Sequence, residues 1–116
     1  MQNHKEQNMN NSTCIRVLND RLRTYHIGGR IMLTSGVNTL EHNTVRKIIR
    51  AITQFTDFNE RNDPHGEHDC AIIEVDNLSI MWKIDYYDET LTQHSPDPAD
   101  PNITVRILTV MLTDEY

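Results

Sequence analysis

The sequence is poor in cysteine and has no long apolar run. Cys14 and Cys70 are its only cysteines in 116 residues. They are too few and too far apart for a disulfide framework, so two reduced thiols are expected, one of them buried. No apolar stretch approaches the ~18 residues of a membrane span, and no apolar leader of the export type opens the chain. A soluble, cytoplasmic protein without a membrane partner is the expectation. Several catalytic fingerprints are missing too: G-x-S-x-G, the P-loop, the dinucleotide-binding glycines and the D-x-D-x-D-G calcium loop. No internal repeat is visible. No cofactor is expected.

What is present is charge, unevenly laid out. The net charge is -6. Residues 1–61 hold nine basic and five acidic side chains, for +4, whereas residues 62–116 hold two basic and twelve acidic ones, for -10. Such a split can steer a charged partner, or it can be neutralised internally where basic helices lie over acidic loops.

Residues 1–11, "MQNHKEQNMNN", are polar and lack apolar periodicity, which predicts a disordered tail ahead of a single domain over 12–116. Ser12 or Thr13 suits a helix N-cap, and Ile15, Leu18, Leu22 and Tyr25 recur at helical spacing. Arg16, Asn19, Arg21 and Arg23 fall largely off that stripe. Gly28 and Gly29 would end this helix, expected over 13–26. "RIMLTSGV" reads as a short strand closed by Gly36. Asn38 and Glu41 have capping-box spacing before a second helix over 40–56, whose stripe is Val45, Ile48, Ile49, Ile52 and Phe55.

A long connection follows, broken by Pro64 and Gly66. "CAIIEV" and "LSIMWKIDYY" are strands joined by Asp76-Asn77, a pair suited to a two-residue hairpin turn. Alternation puts Ile80, Trp82, Ile84 and Tyr86 on one face, with Trp82 in the core, and Met81, Lys83, Asp85 and Tyr87 on the other. "SPDPADPN" is a stiff loop with three prolines, and "ITVRILTVML" reads as an inner strand. The fold expected is α+β: a four-stranded, mostly antiparallel sheet with two helices packed on one face.

Chemistry concentrates in "NDPHGEHDC", residues 62–70. Imidazoles and carboxylates at this density suit a metal, with His65 and His68 as ligands and a third from Asp69 or, from elsewhere, Asp85, Asp88 or His94. The spacing is not H-E-x-x-H, and Pro64 and Gly66 oppose the helix that motif needs. The structural reading is a turn: Asp63 accepts backbone N–H groups, Gly66 supplies a positive φ, and His68 and Asp69 tie the turn to the strand. In "WKIDYYDE", Lys83 and Asp85 point the same way and suit a surface pair. Asp97 and Asp100 sit in the proline loop, where they cap turns or present fixed charge. Arg16, Arg21, Arg23, Arg46, Lys47 and Arg50 would form a nucleic-acid surface if both helices showed one basic side.

The segments "NDRLR", "GGRIMLTSGV", "NDPHGEHD", "WKIDYYD", "SPDPADP" and "RILTVML..EY" together resemble a bacterial family, domain of unknown function 3768, over Asn19 to Tyr116. The resemblance brings no activity with it. It implies small proteins, some carried on mobile DNA, that share the acidic turn (Asp63, Pro64, Glu67, His68, Asp69), the aromatic–acidic strand (Trp82, Lys83, Asp85, Tyr86, Tyr87, Asp88) and Asp97 and Asp100 of the proline loop. Cys70-Ala71 and Asp76-Asn77 depart from the pattern, which has an aromatic–glycine pair and Asp-Gly there.

The leading expectation is a small non-enzymatic module that binds a protein through an acidic surface, as an accessory or defence-modulating factor of mobile DNA. That surface comprises Asp63, Glu67, His68, Asp69, Asp85, Tyr87, Asp88, Asp97 and Asp100. The alternatives are a metal-dependent hydrolase on the His65, His68 and Asp69 turn, and nucleic-acid binding by the basic helices.

Overall fold

The computed structural model describes residues 4–116, with side chains from Asn11 onward. The elements are α1 (His4–Tyr25), β1 (Arg30–Leu33), α2 (Ser35–Asn38), α3 (His42–Gln54), β2 (Cys70–Val75), β3 (Leu78–Tyr87) and β4 (Val105–Leu112), followed by a 3-10 turn (Thr113–Glu115). The strands form one sheet in the order β1-β4-β3-β2. β2 and β3 form the hairpin and β4 lies antiparallel on β3, while β1 runs parallel to β4 at the far edge. This is the expected α+β fold, with a mixed, mostly antiparallel sheet. Among the described residues no helix is long and apolar enough to cross a membrane.

The hairpin turn forms as its residues dictate. Asp76 and Asn77 have φ of 51° and 65°, the left-handed pair that matches strand twist. One face of β3 is then buried through Ile80, Trp82, Ile84 and Tyr86, joined by Leu108 and Val110 of β4. Ile15 and Leu22 of α1 and Ile48 and Ile52 of α3 complete this core. Burying an isoleucine or leucine side chain contributes about 1.5–3 kcal/mol, so this face carries the domain.

Helix ends differ from expectation. α1 starts at His4, so Ser12 and Thr13 lie inside it and do not cap it. The tail expected over residues 1–11 falls on residues 1–3, outside the described residues, and on the first turns of α1. After Tyr25, His26 takes the left-handed position (φ 59°), and its N–H donates to Leu22 O at 2.9 Å. Gly29 serves close packing instead: a Cβ there would lie 2.7 Å from Arg106 O and 2.8 Å from Leu22 Cδ2. The "TSGV" end of the expected first strand is helical, because Ser35–Asn38 form α2 and bury Val37. A third helix is thereby added. The Asn38–Glu41 capping box does not form; Glu41 is the N-cap of α3 and makes no side-chain cap bond. Tyr25, the last residue of the expected apolar stripe, is 71% exposed, whereas Asn19 and Arg23, expected off the stripe, are buried. Neither cysteine is fully buried: Cys14 is exposed and Cys70 half-buried.

Candidate functional site

The N-terminal ends of β2 and β4, the C-terminal end of β3 and the turn before β1 share one end of the sheet, as the strand pairing requires. Two long connections therefore meet there: residues 55–69 and residues 88–104. A buried polar network holds both against α1.

Asn19 is at its centre, fully buried on the inner face of α1. Its Nδ2 donates to Tyr86 Oη at 2.8 Å and to Glu67 O at 3.0 Å. Its Oδ1 accepts from Arg106 Nε at 2.8 Å. Tyr86 Oη in turn donates to Glu67 Oε1 at 3.0 Å. Burial pushes the Tyr86 hydroxyl well above its usual range, so it stays protonated and available as a donor. Arg106, buried on β4, donates to Pro98 O in the proline loop and lies 5.0 Å from the Tyr86 ring centroid. Burial also lowers its basicity from the ordinary value. A charge taken out of water in this way needs its fixed partners.

One residue along α1, Asp20 accepts from Arg23 Nη2 at 2.9 Å and lies 2.9 Å from His68 Nδ1. The His68 ring stacks on Phe58, with centroids 3.8 Å apart and planes 4° apart. Its Nε2 is 3.7 Å from Asp63 Oδ2. Asp63 Oδ1 accepts the N–H groups of Glu67 and His68, each at 3.0 Å. Gly66 and His68 take positive φ of 67° and 54°, as this tight turn demands. Arg16 Nη1 closes the other side on Gly66 O at 3.2 Å. The motif is a turn bolted to α1.

This geometry separates the expected site residues. Asp63 points inward; its side chain is only 6% exposed. Glu67 is committed to Tyr86, and His68 to Asp20 and Phe58. Asp69 is half-buried, and burial first, then the charges of Glu67 and Asp63, push its carboxyl upward. Asp88 accepts from Thr92 N and Thr90 Oγ1, both at 3.0 Å, and the Thr92 bond leads in holding its carboxyl below the ordinary value. Asp97 Oδ1 accepts from Ala99 N at 3.1 Å and Asp100 Oδ1 from Asn102 N at 2.9 Å. These six carboxylates gather at the same end of the sheet. Asp85 and Tyr87 lie apart from them on the open face, where Asp85 pairs with Lys83 as expected.

The metal reading finds no centre. Among the described residues no three His, Cys, Asp or Glu side chains are grouped to hold an ion, so His65, His68 and Asp69 are not brought together as ligands. The basic surface is broken up as well. Arg23 is buried, donating to Ile52 O at 2.9 Å and Phe55 O at 2.8 Å at the end of α3. Lys47 pairs with Asp76 at 3.1 Å and Arg16 with the turn. Arg21, Arg46 and Arg50 remain exposed.

Sequence reasoning missed Asn19, Asp20, Arg23 and Arg106 as parts of this end. A signal existed: Arg106 shares a pleat face with Leu108 and Val110, a placement a charge tolerates only when paired.

Residues 33–115 match the family described as a protein of unknown function, DUF3768. The chain belongs to this family. The DUF3768 match takes in the acidic turn, the hairpin, the proline loop and β4, but begins after α1. Arg16, Asn19 and Asp20, which bolt the turn down, therefore lie outside it, although the segments that resemble the family begin at Asn19. No curated protein and no solved structure matches the chain.

Proposed function

We propose that the protein is a non-enzymatic binding module that presents a rigid acidic rim to a basic partner protein. The observation that supports this reading is the Asn19–Tyr86–Glu67–Arg106 network, which fixes two separate acidic connections at one end of the sheet. Asp97 and Asp100 each spend one oxygen on a local turn bond, and Asp88 accepts local turn bonds on both of its oxygens. Their carboxylates are thereby held in place before any partner arrives, which reduces the ordering cost of binding. Fixed charge of one sign raises association rate and selectivity. A cytoplasmic setting, and an accessory role on bacterial mobile DNA, belong to the same proposal and rest on the family resemblance.

The test uses the full chain as bait in extract of its source cells, with captured proteins read by mass spectrometry. The comparison is the triple variant Asp88→Asn, Asp97→Asn and Asp100→Asn, which keeps each turn acceptor and removes the charge. A basic protein held by the wild type, released by added salt and lost by the variant supports the rim. Equal capture by both proteins would remove it.

A further inference from the structure

The two edges of the sheet differ. β1 is four residues long and carries Arg30, and both shortness and charge guard an edge strand against pairing. β2 has six residues, contains neither proline nor lysine, carries one exposed charge, Glu74, and among the described residues pairs on one side only, with β3. The hairpin turn closes on Val75 and Leu78, so Val75, Ile73 and Ala71 aim their backbone N–H and C=O groups at β3. Asp69 continues the series, since its carbonyl accepts from Ile84 N at 2.7 Å. By alternation Cys70, Ile72 and Glu74 aim theirs away from the sheet. Among the described residues, the outward backbone groups of Ile72 and Glu74 bond to no other part of the chain. The Ile72 side chain stands on the open face and is 63% exposed, more than any other apolar side chain in the described strands.

We propose that β2 is a homotypic interface: two copies of the chain pair β2 antiparallel to β2 about a twofold axis at Ile72, joining two four-stranded sheets into one. This register sets Ile72 against Ile72 and Cys70 against the second copy's Glu74. All three outward residues are then paired, exchanging about six backbone bonds. Shifting the register by two residues opposes Ile72 to Glu74 and leaves one outward residue unpaired.

Charge selects a second copy over a foreign strand. Cys70 is in register with Lys83 inside each sheet. Glu74 of one copy therefore stands two strands, about 10 Å, from Lys83 of the other on the same face, within reach of the two extended side chains. One strand supplies the carboxylate and, through its own neighbour, an ammonium that Asp85 of the same sheet already holds and that Glu74 would share. The patch is small beside a standard interface of about 1,600 Å², so the dimer is weak and concentration-dependent. The inference is independent of the acidic rim.

Sedimentation velocity on the full chain, from about micromolar to several hundred micromolar, reads the mass over the range where so small an interface associates. The wild type is expected to move from monomer toward dimer. Ile72→Lys, which sets two ammonium groups together at the axis, is expected to stay monomeric with an unchanged circular dichroism spectrum. Should that variant misfold, Glu74→Lys, at an exposed site, is expected to weaken the dimer at least tenfold. Hydrogen exchange adds a positional readout: the Ile72 and Glu74 amides slow at least tenfold in the concentrated sample. A wild type monomeric at every concentration overturns the proposal, as does a dimer in which those two amides exchange as fast as in the monomer.

Discussion

Asn19 and Arg106 are 87 residues apart in the chain and 2.8 Å apart in the fold, joined by a fully buried hydrogen bond from the guanidinium Nε to the amide Oδ1. That bond links the first helix to the last strand. The same amide holds Tyr86 and the carbonyl of Glu67, so one side chain ties three parts of the acidic end together.

Asn19→Leu is accordingly expected to destabilise the domain by about 3 kcal/mol. It strips three partners at once and leaves a buried guanidinium short of one acceptor. Urea unfolding followed by circular dichroism checks this. A loss under about 1 kcal/mol would mean that water replaces the amide.

Trp82 is the only tryptophan and is fully buried, with ring contacts to Phe55 and Phe58. Its indole N–H has no partner among the described residues. Trp82→Phe is therefore expected to cost less than the volume change alone suggests, about 1 kcal/mol, because an unpaired donor leaves with it. Trp82→Ala is expected to cost about 3–5 kcal/mol through the cavity it opens. The native emission should be blue-shifted and should move to the red on unfolding.

Asp69 has a carboxyl whose folded pKa is raised above its ordinary 3.8. The native state thus holds this proton more tightly than the unfolded chain does. Its favourable contribution is complete below 3.8 and disappears as pH rises through the raised value, leaving a net cost at neutral pH. Asp69→Asn is expected to raise the melting temperature at pH 7, with a gain below about 1 kcal/mol because the group is only half buried. The gain should shrink as pH falls toward 3.8. A pH-independent difference between the two proteins would point to a lost contact instead.

Gly28 and Gly29 are expected to respond differently to alanine. At Gly28 a Cβ meets open space but φ is +87°, so the cost is conformational strain of about 1 kcal/mol. At Gly29 the Cβ would press on Arg106 backbone and Leu22, and a loss of about 2–3 kcal/mol is expected. Thermal denaturation of the two single variants checks the order.

Local rules carried much of the fold. Alternation along "LSIMWKIDYY" set which face Trp82 and Tyr86 would take, and Asp76-Asn77 fixed the hairpin because few residues tolerate two successive positive φ values. Period alone also placed Ile48 and Ile52 inward on α3. It failed at Asn19 and Arg23, because a helix pattern counts polar residues as outward unless their partners are known.

The sequence by itself determined the strands, the hairpin, the helical stripes and the surplus of acids after residue 61, since each depends on neighbours a few positions away. Tertiary structure alone decided what the acids do. Asp63 turns inward, Glu67 meets Tyr86 and His68 meets Asp20 because β-pairing and the packing of α1 bring together groups separated by up to 48 residues. No local pattern encodes such partners. They arise from burial, which leaves each enclosed polar group stable only where another, distant in the chain, completes its bonding.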